Sequence, residues 1–219
     1  MFLLIPAFWF LIAFILAGLE CEIEGPDGWA SGMPTCRIEN RGMLLVLRPV
    51  FAGRPVTLYH CFMFSLVALI AHVGYAQGVP FNWTNEFRFL STLFLLCPTW
   101  DYLWFVLNPA YGPDNFRREK IGWHTHRYWL LGLFPIDYAV AGVLSLACSV
   151  LSWCGDDANF FDVINGVLGY FFWMFLIGAA LEAGKPYRRW RAAKKPERAH
   201  HAPAPPPAQD PPQGWIDSP

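Results

Sequence analysis

Five long apolar stretches restrict the fold of this chain more than any other feature of its sequence. They cover residues 2–19, 57–77, 87–107, 129–153 and 160–181. A hydrocarbon core of about 30 Å is crossed by about 20 apolar helical residues, and each stretch approaches that length. Strands of a membrane barrel would alternate apolar and polar residues, whereas these stretches are continuously apolar. Because backbone polar groups must be paired inside lipid, the sequence predicts an all-α membrane bundle of about five transmembrane helices.

The composition agrees with a membrane location. Of the 219 residues, 55% are hydrophobic and only 15% are charged, which leaves too little polar surface to cover a water-soluble globule of this size. A soluble nucleic-acid-binding role is therefore excluded. Membrane lipids are the expected surroundings, and a membrane-protein partner is compatible with the same surface.

The basic residues predict the orientation of the helices. All of them except Arg88 fall in three segments that share one side of the membrane if successive helices alternate in direction. The two connections on the other side, residues 78–86 and 154–159, contain none. Because cytoplasmic loops carry the excess of Lys and Arg, we expect the N-terminus outside and the C-terminus inside.

The chain divides into a membrane domain and a tail. Residues 1–183 hold the five spans, and residues 184–219 are first basic and then rich in Pro and Ala, which is typical of a disordered cytoplasmic tail. The first span also has the apolar character of a cleaved signal peptide. It lacks a basic segment before it, and residues 17–19 are a poor cleavage context, so we interpret it as a membrane helix.

Two carboxylates within the spans are candidate functional groups. An Asp near the middle of a membrane helix costs on the order of 2.5 to 3.5 kcal/mol, so such residues are rarely kept without a role. Asp101 lies roughly 10 Å and Asp137 roughly 12 Å from the inner boundary. Imidazoles occur near the same level, so the sequence predicts a site for Zn, Fe or Mn with His60, Asp101, His124 and Asp137 as ligands and His126 as an alternate.

The same polar residues are compatible with two roles that need no metal. The two carboxylates could pair with arginines of the inner loop or accept hydrogen bonds from nearby Trp and Tyr side chains, which would satisfy them structurally. They could also exchange protons as an acid and base pair. The sequence does not distinguish these alternatives from a metal site.

Aromatic and small residues mark candidate contact surfaces. Trp104 and Trp123 belong to a group of Trp residues near the inner boundary, where indoles commonly meet lipid headgroups. Gly166 and Gly169 lie on one part of the fifth span, where small residues allow close helix contact. We expect these four residues to contact lipid or a partner helix.

Several short motifs carry a resemblance to known sequences. The chain resembles an uncharacterised family of small polytopic bacterial inner-membrane proteins over residues 1–183. The resemblance implies a bacterial inner-membrane location and a shared architecture, and it brings no established activity. It is carried by EGPDGWA at 24–30, PTCR at 34–37, DYLWFVLNPAYG at 101–112, WH at 123–124 and PIDY at 135–138.

Two classes of function follow from these observations. One is a membrane-embedded metalloenzyme that acts on a lipid or another amphiphile at the cytoplasmic leaflet. The other is a non-enzymatic accessory or assembly subunit of a membrane complex. A transporter is a weaker hypothesis, because the sequence shows neither an inverted repeat nor interrupted midplane helices.

Overall fold

The computed structural model describes residues 3–26, 28–38, 42, 56–121, 124, 128–154 and 160–194. Within these ranges the protein is mostly helical, with one two-stranded hairpin and a short 3-10 turn at Pro113–Asn115. The elements in chain order are α1 Leu4–Glu24, α2 Leu58–Ala71, α3 Val73–Ala76, α4 Trp83–Leu107, β1 Trp129–Leu130, β2 Phe134–Pro135, α5 Ile136–Trp153 and α6 Phe160–Ala193.

Four of the helices are long and apolar enough to cross a membrane: α1, α4, α5 and α6. The predicted helical protein with membrane-length apolar helices is confirmed at this level. The stretch predicted as the second span forms two shorter helices instead. Helix α2 has 14 residues and α3 has four, and the break between them falls at His72.

Helix α4 lies at the centre of the bundle and packs against α1, α2, α5 and α6. The core contains Leu16 and Ala17 from α1, Leu96 and Leu103 from α4, and Trp173 from α6. The opposite faces of the helices are also apolar. On α1, these outward residues are about half exposed, as expected where a helix meets lipid rather than water; they are Phe8, Leu11, Ile15 and Leu19.

One end of the bundle joins α1, α4 and α6, and we call it the basic end. The Asn108 side-chain amide donates to the Gly25 carbonyl at 3.1 Å, which ties the chain after α4 to the chain after α1. Arg188 of α6 donates to the Val106 carbonyl near the end of α4. Arg191 pairs with Glu22 of α1 at 2.5 Å. The cytoplasmic ends predicted for these three helices therefore lie together.

Two boundaries differ from the sequence-based expectation. Residues 129–135 form the hairpin β1–β2, and α5 begins only at Ile136, because Leu131 and Gly132 adopt positive φ in the turn and Pro135 precedes the helix. Helix α6 continues to Ala193, beyond the predicted end at 181. Its last turns are basic, and two of their arginines, Arg188 and Arg191, contact α4 and α1. Residues 195–219 of the predicted tail lie outside the described residues.

Candidate metal site at the basic end

Two glutamates and a histidine converge where α1 ends and α2 begins. Glu20 and Glu24 are four residues apart, which places both carboxylates on one face of α1. His60 lies in the first turn of α2. One potential ligand atom from each residue lies within 4.8 Å of the other two. In the part of the chain that the structure describes, this is the one group of three such residues brought so close together.

The imidazole of His60 is held from several sides. Thr57 caps α2, and its Oγ1 accepts from the His60 backbone N–H and lies 2.6 Å from Nδ1. The opposite ring nitrogen, Nε2, lies 3.4 Å from Oε1 of Glu24. The Trp29 indole stacks on the imidazole with ring centroids 4.1 Å apart. The side chains of His60 and Glu24 are only 2% and 3% exposed, so this arrangement is fixed by packing.

The loop after α1 contacts both Glu24 and His60, and two of its residues have a strained backbone conformation. Trp29 and Ala30 adopt φ values of 48° and 51°, in the left-handed region that non-glycine residues rarely occupy. The Ala30 N–H donates to Oε1 of Glu24 at 2.8 Å, while Trp29 covers His60. Strain of this kind persists only where the surroundings hold it, and it is often found at functional sites.

The charge distribution favours a cation at this position. Three carboxylates, those of Glu20, Glu22 and Glu24, lie near the end of α1, where the helix dipole already places partial negative charge. Arg191 compensates Glu22. A positive charge between Glu20 and Glu24 would offset both their mutual repulsion and the dipole. Two carboxylate oxygens and one imidazole nitrogen are ligands suited to Zn, Fe or Mn.

Two proton arrangements of His60 are compatible with its contact to Thr57. In the first, the Thr57 hydroxyl donates to Nδ1, and the Nε2–H faces Oε1 of Glu24 across 3.4 Å. In the second, Nδ1–H donates to Thr57, and Nε2 then presents a lone pair to a carboxylate, which is favourable only with a proton or metal ion between them. The second arrangement matches metal-binding histidines, whose other ring nitrogen is oriented by a polar partner.

A second polar cluster joins α4, the loop after it and α5. His124 Nε2 lies 3.3 Å from Oδ2 of Asp101, and the Tyr138 hydroxyl donates to the same oxygen. His124 is fully buried among aromatic rings, including those of Phe105 and Trp129. Asp101, with 31% of its side chain exposed, is the accessible carboxylate of the cluster.

The structure therefore places the predicted metal ligands in more than one environment. Asp101 and His124 are brought together, whereas His60 is packed with Glu24 and Thr57. Asp137 lies in the first turn of α5, where a negative charge is favoured by the helix dipole. His126 lies outside the described residues. A metal shared by the predicted set stays a prediction.

The predicted contact residues meet other parts of the same chain. Trp104 is 3% exposed, so its indole lies inside the bundle. Gly166 faces Trp153 of α5, and a Cβ built on Gly169 would lie 3.9 Å from Pro6 of α1. Trp123 lies outside the described residues. A lipid or partner contact at these residues also stays a prediction.

Glu20 and Glu24 were not among the residues predicted from the sequence, because the first span was expected to end at residue 19. Helix α1 runs five residues further. The spacing of the two glutamates was a usable signal, since carboxylates four residues apart on a helix can share one ligand. No local pattern in the sequence indicated that Trp29 would cover His60.

Comparison with protein-family models, with curated proteins and with solved structures found no match to this chain. The function is therefore inferred from the geometry of the site.

Proposed function

We propose that the protein is a five-span protein of the bacterial inner membrane that binds a divalent transition metal through Glu20, Glu24 and His60 on the cytoplasmic side. The observation that carries the proposal is the convergence of three ligand atoms within 4.8 Å, with Glu24 and His60 buried. Zn, Fe and Mn fit this donor set. When bound, such a metal would polarise an oxygen atom or activate water.

The position of the site favours an amphiphilic substrate. Glu24 is the last residue of an apolar 21-residue helix, so the site lies at the depth of the lipid headgroups if α1 crosses the membrane. A lipid or another amphiphile reaches that depth without leaving the bilayer. The proposed role is therefore metal-dependent binding or conversion of such a molecule at the cytoplasmic leaflet.

The five-span topology rests on length and charge. Helices α2 and α3 together cover residues 58–76, which at 1.5 Å per residue gives roughly 28 Å, close to the hydrocarbon thickness. Arg188 and Arg191 lie at the same end of the bundle as Glu22 and Asn108. Basic residues favour the cytoplasmic side, which supports placing the metal site there.

Metal content of the purified full-length protein tests the proposal. We expect elemental mass spectrometry to find Zn, Fe or Mn near one equivalent in the wild type. Glu24→Gln and His60→Gln should lose it, because each removes one ligand while keeping a similar volume. Glu182→Gln is the matched control, since Glu182 is an exposed carboxylate of α6 paired with Lys185, and it should retain the metal.

Three results would contradict the proposal. A folded wild-type protein without metal would leave an accessory or assembly role as the better hypothesis. Metal retained by both site variants would exclude these ligands. Metal lost instead in Asp101→Ala and His124→Ala would place the centre at the second polar cluster.

A further inference from the structure

A cavity of about 250 Å³ lies in the half of the bundle away from the basic end. Its walls are mostly apolar and aromatic. One wall differs, because it carries hydroxyl groups contributed by α4, α5 and α6. The lining residues used below are Ile5, Ser91, Ser149, Gly169, Tyr170 and Trp173.

The cavity is continuous with the lipid-facing surface of the bundle. Ile5 lines the cavity and is also 55% exposed, on the outward face of α1. A cavity of about 150 Å³ with apolar walls stays dry and admits benzene, so this larger space accommodates part of a hydrocarbon chain. In a membrane, the chain can enter from the bilayer without crossing water.

Four hydroxyl groups form a closed hydrogen-bonded cluster at this wall. The Ser145 hydroxyl donates to the Ser91 carbonyl at 2.8 Å, so its proton is committed. Tyr170, 2.8 Å from Ser145, must then be the donor in that contact. Ser149 in turn donates to Tyr170 at 2.9 Å, and Ser91 donates to Ser149 at 2.7 Å. Each hydroxyl has one proton, so assigning the four shortest contacts leaves none for the longer contacts of Ser91 Oγ with Ser145 at 3.1 Å and with Tyr170 at 3.2 Å.

With these protons assigned, the wall acts as an acceptor for hydrogen bonds. Ser91, Ser149 and Tyr170 line the cavity, and each keeps at least one lone pair after the contacts above. Ser91 receives no proton in this arrangement. A ligand that only accepts hydrogen bonds, such as the ester group of an acyl chain, gains no hydrogen bond at this wall. A ligand that carries its own O–H group can donate a hydrogen bond to it.

We propose that this cavity binds a long-chain alcohol, with its alkyl chain between α1 and α6 and its hydroxyl donating to the cluster of Ser91, Ser149 and Tyr170. The apolar walls select a hydrocarbon, and the acceptor-rich wall selects a hydroxyl over an ether or ester. The site is separate from Glu20, Glu24 and His60 and does not depend on a metal there.

Photolabelling of the full-length protein in detergent tests this site. The probes are a 16-carbon primary alcohol with a diazirine in its chain and the methyl ether of the same molecule, which lacks the proton. We expect labels on peptides containing Ile5 and Trp173. The alcohol should label about fivefold more strongly than the ether, as one hydrogen bond is worth about 1 kcal/mol.

Two glycines of α6 give a matched pair of variants. Gly169 lines the cavity, and a Cβ there meets only Pro6 at 3.9 Å, so Gly169→Leu should fill the space and abolish labelling. A Cβ at Gly178 meets nothing within 4 Å, so Gly178→Leu should label like the wild type. If Gly169→Leu does not purify as a monodisperse protein, Ser149→Ala replaces it and should remove the preference for the alcohol.

Equal labelling by alcohol and ether in the wild type would overturn the proposal, since the hydroxyl would then go unrecognised. Labelling that persists in Gly169→Leu at the Gly178→Leu level would also overturn it, because the probe would be on the general lipid surface. A cavity that takes up only water would give no site-specific label, and the proposal would again fail. None of these results depends on the metal content.

Discussion

Replacing Gly166 with alanine should destabilise the bundle, because the added methyl group would overlap the indole of Trp153. A Cβ at this position would overlap Cζ2 of the ring and lie 3.0 Å from Cη2 and 3.1 Å from Cε2. Trp153 is the last residue of α5, and its ring is rigid and half-buried. Unlike the end of a long flexible side chain, the indole cannot move aside by rotating one terminal bond. The added methyl group must therefore push α5 and α6 apart locally.

The magnitude follows from a comparison with Gly178 on the same helix. An alanine in place of a helical glycine gains about 1 kcal/mol from helix propensity at both positions. At Gly178 nothing lies within 4 Å of the new Cβ, so only this gain applies. At Gly166 the overlap costs about 1 to 3 kcal/mol. The difference between the two variants therefore isolates the overlap, since the propensity term cancels.

Thermal unfolding in detergent, followed by the loss of monodisperse protein on size exclusion, measures this difference. For soluble chains of this length, about 1 kcal/mol corresponds to about 2 to 4 °C in Tm, so Gly166→Ala should unfold several degrees below Gly178→Ala. Equal apparent Tm values for the two variants would refute the close packing of α5 on α6 at Trp153.

Two further predictions concern the second polar cluster and the topology. Tyr138→Phe should lower the free energy of unfolding by about 1.5 kcal/mol, since it removes a donor to the Asp101 carboxylate. The exposed control Tyr128→Phe should match the wild type in the same unfolding assay. Equal losses of stability in the two variants would argue against the contact between Tyr138 and Asp101. Reporter fusions after Gln77 and Ala110 should read outside and inside, respectively, and the reverse pattern would move the proposed metal site to the opposite face of the membrane.

The sequence predicted the helical membrane architecture because continuous apolar runs leave few alternatives in lipid. It was less informative where short-range geometry decides the structure. The positive φ of Leu131 and Gly132 turns residues 129–135 into a hairpin, although their composition is as apolar as a helix. The break at His72 is similar, because its neighbours on both sides are apolar, and the imidazole Nδ1 lies 2.7 Å from the Ala68 carbonyl in the last turn of the helix.

The candidate site was less predictable than the fold. His60 was predicted as a ligand from its place near the membrane boundary, and the structure assigns it different neighbours from those expected. Pairing His60 with Glu24 depends on the meeting of the end of α1 with the start of α2 and on a loop with two strained residues, Trp29 and Ala30. Such contacts between distant parts of the chain leave no local pattern in the sequence. The four-residue spacing of Glu20 and Glu24, in contrast, is visible in the sequence.

Buried apolar side chains separate the two ends of the second predicted span. His60 belongs to the basic end and His72 to the opposite one, where it contacts Glu86 at 3.3 Å; the two histidines are roughly 18 Å apart along the helix axis. Val67, Leu96 and Leu103 are buried between them. If the helices cross a membrane as proposed, an ion at the glutamate–histidine group would exchange with the solution on the side of the basic end. The proposed metal site would then receive its ion from one side of the membrane.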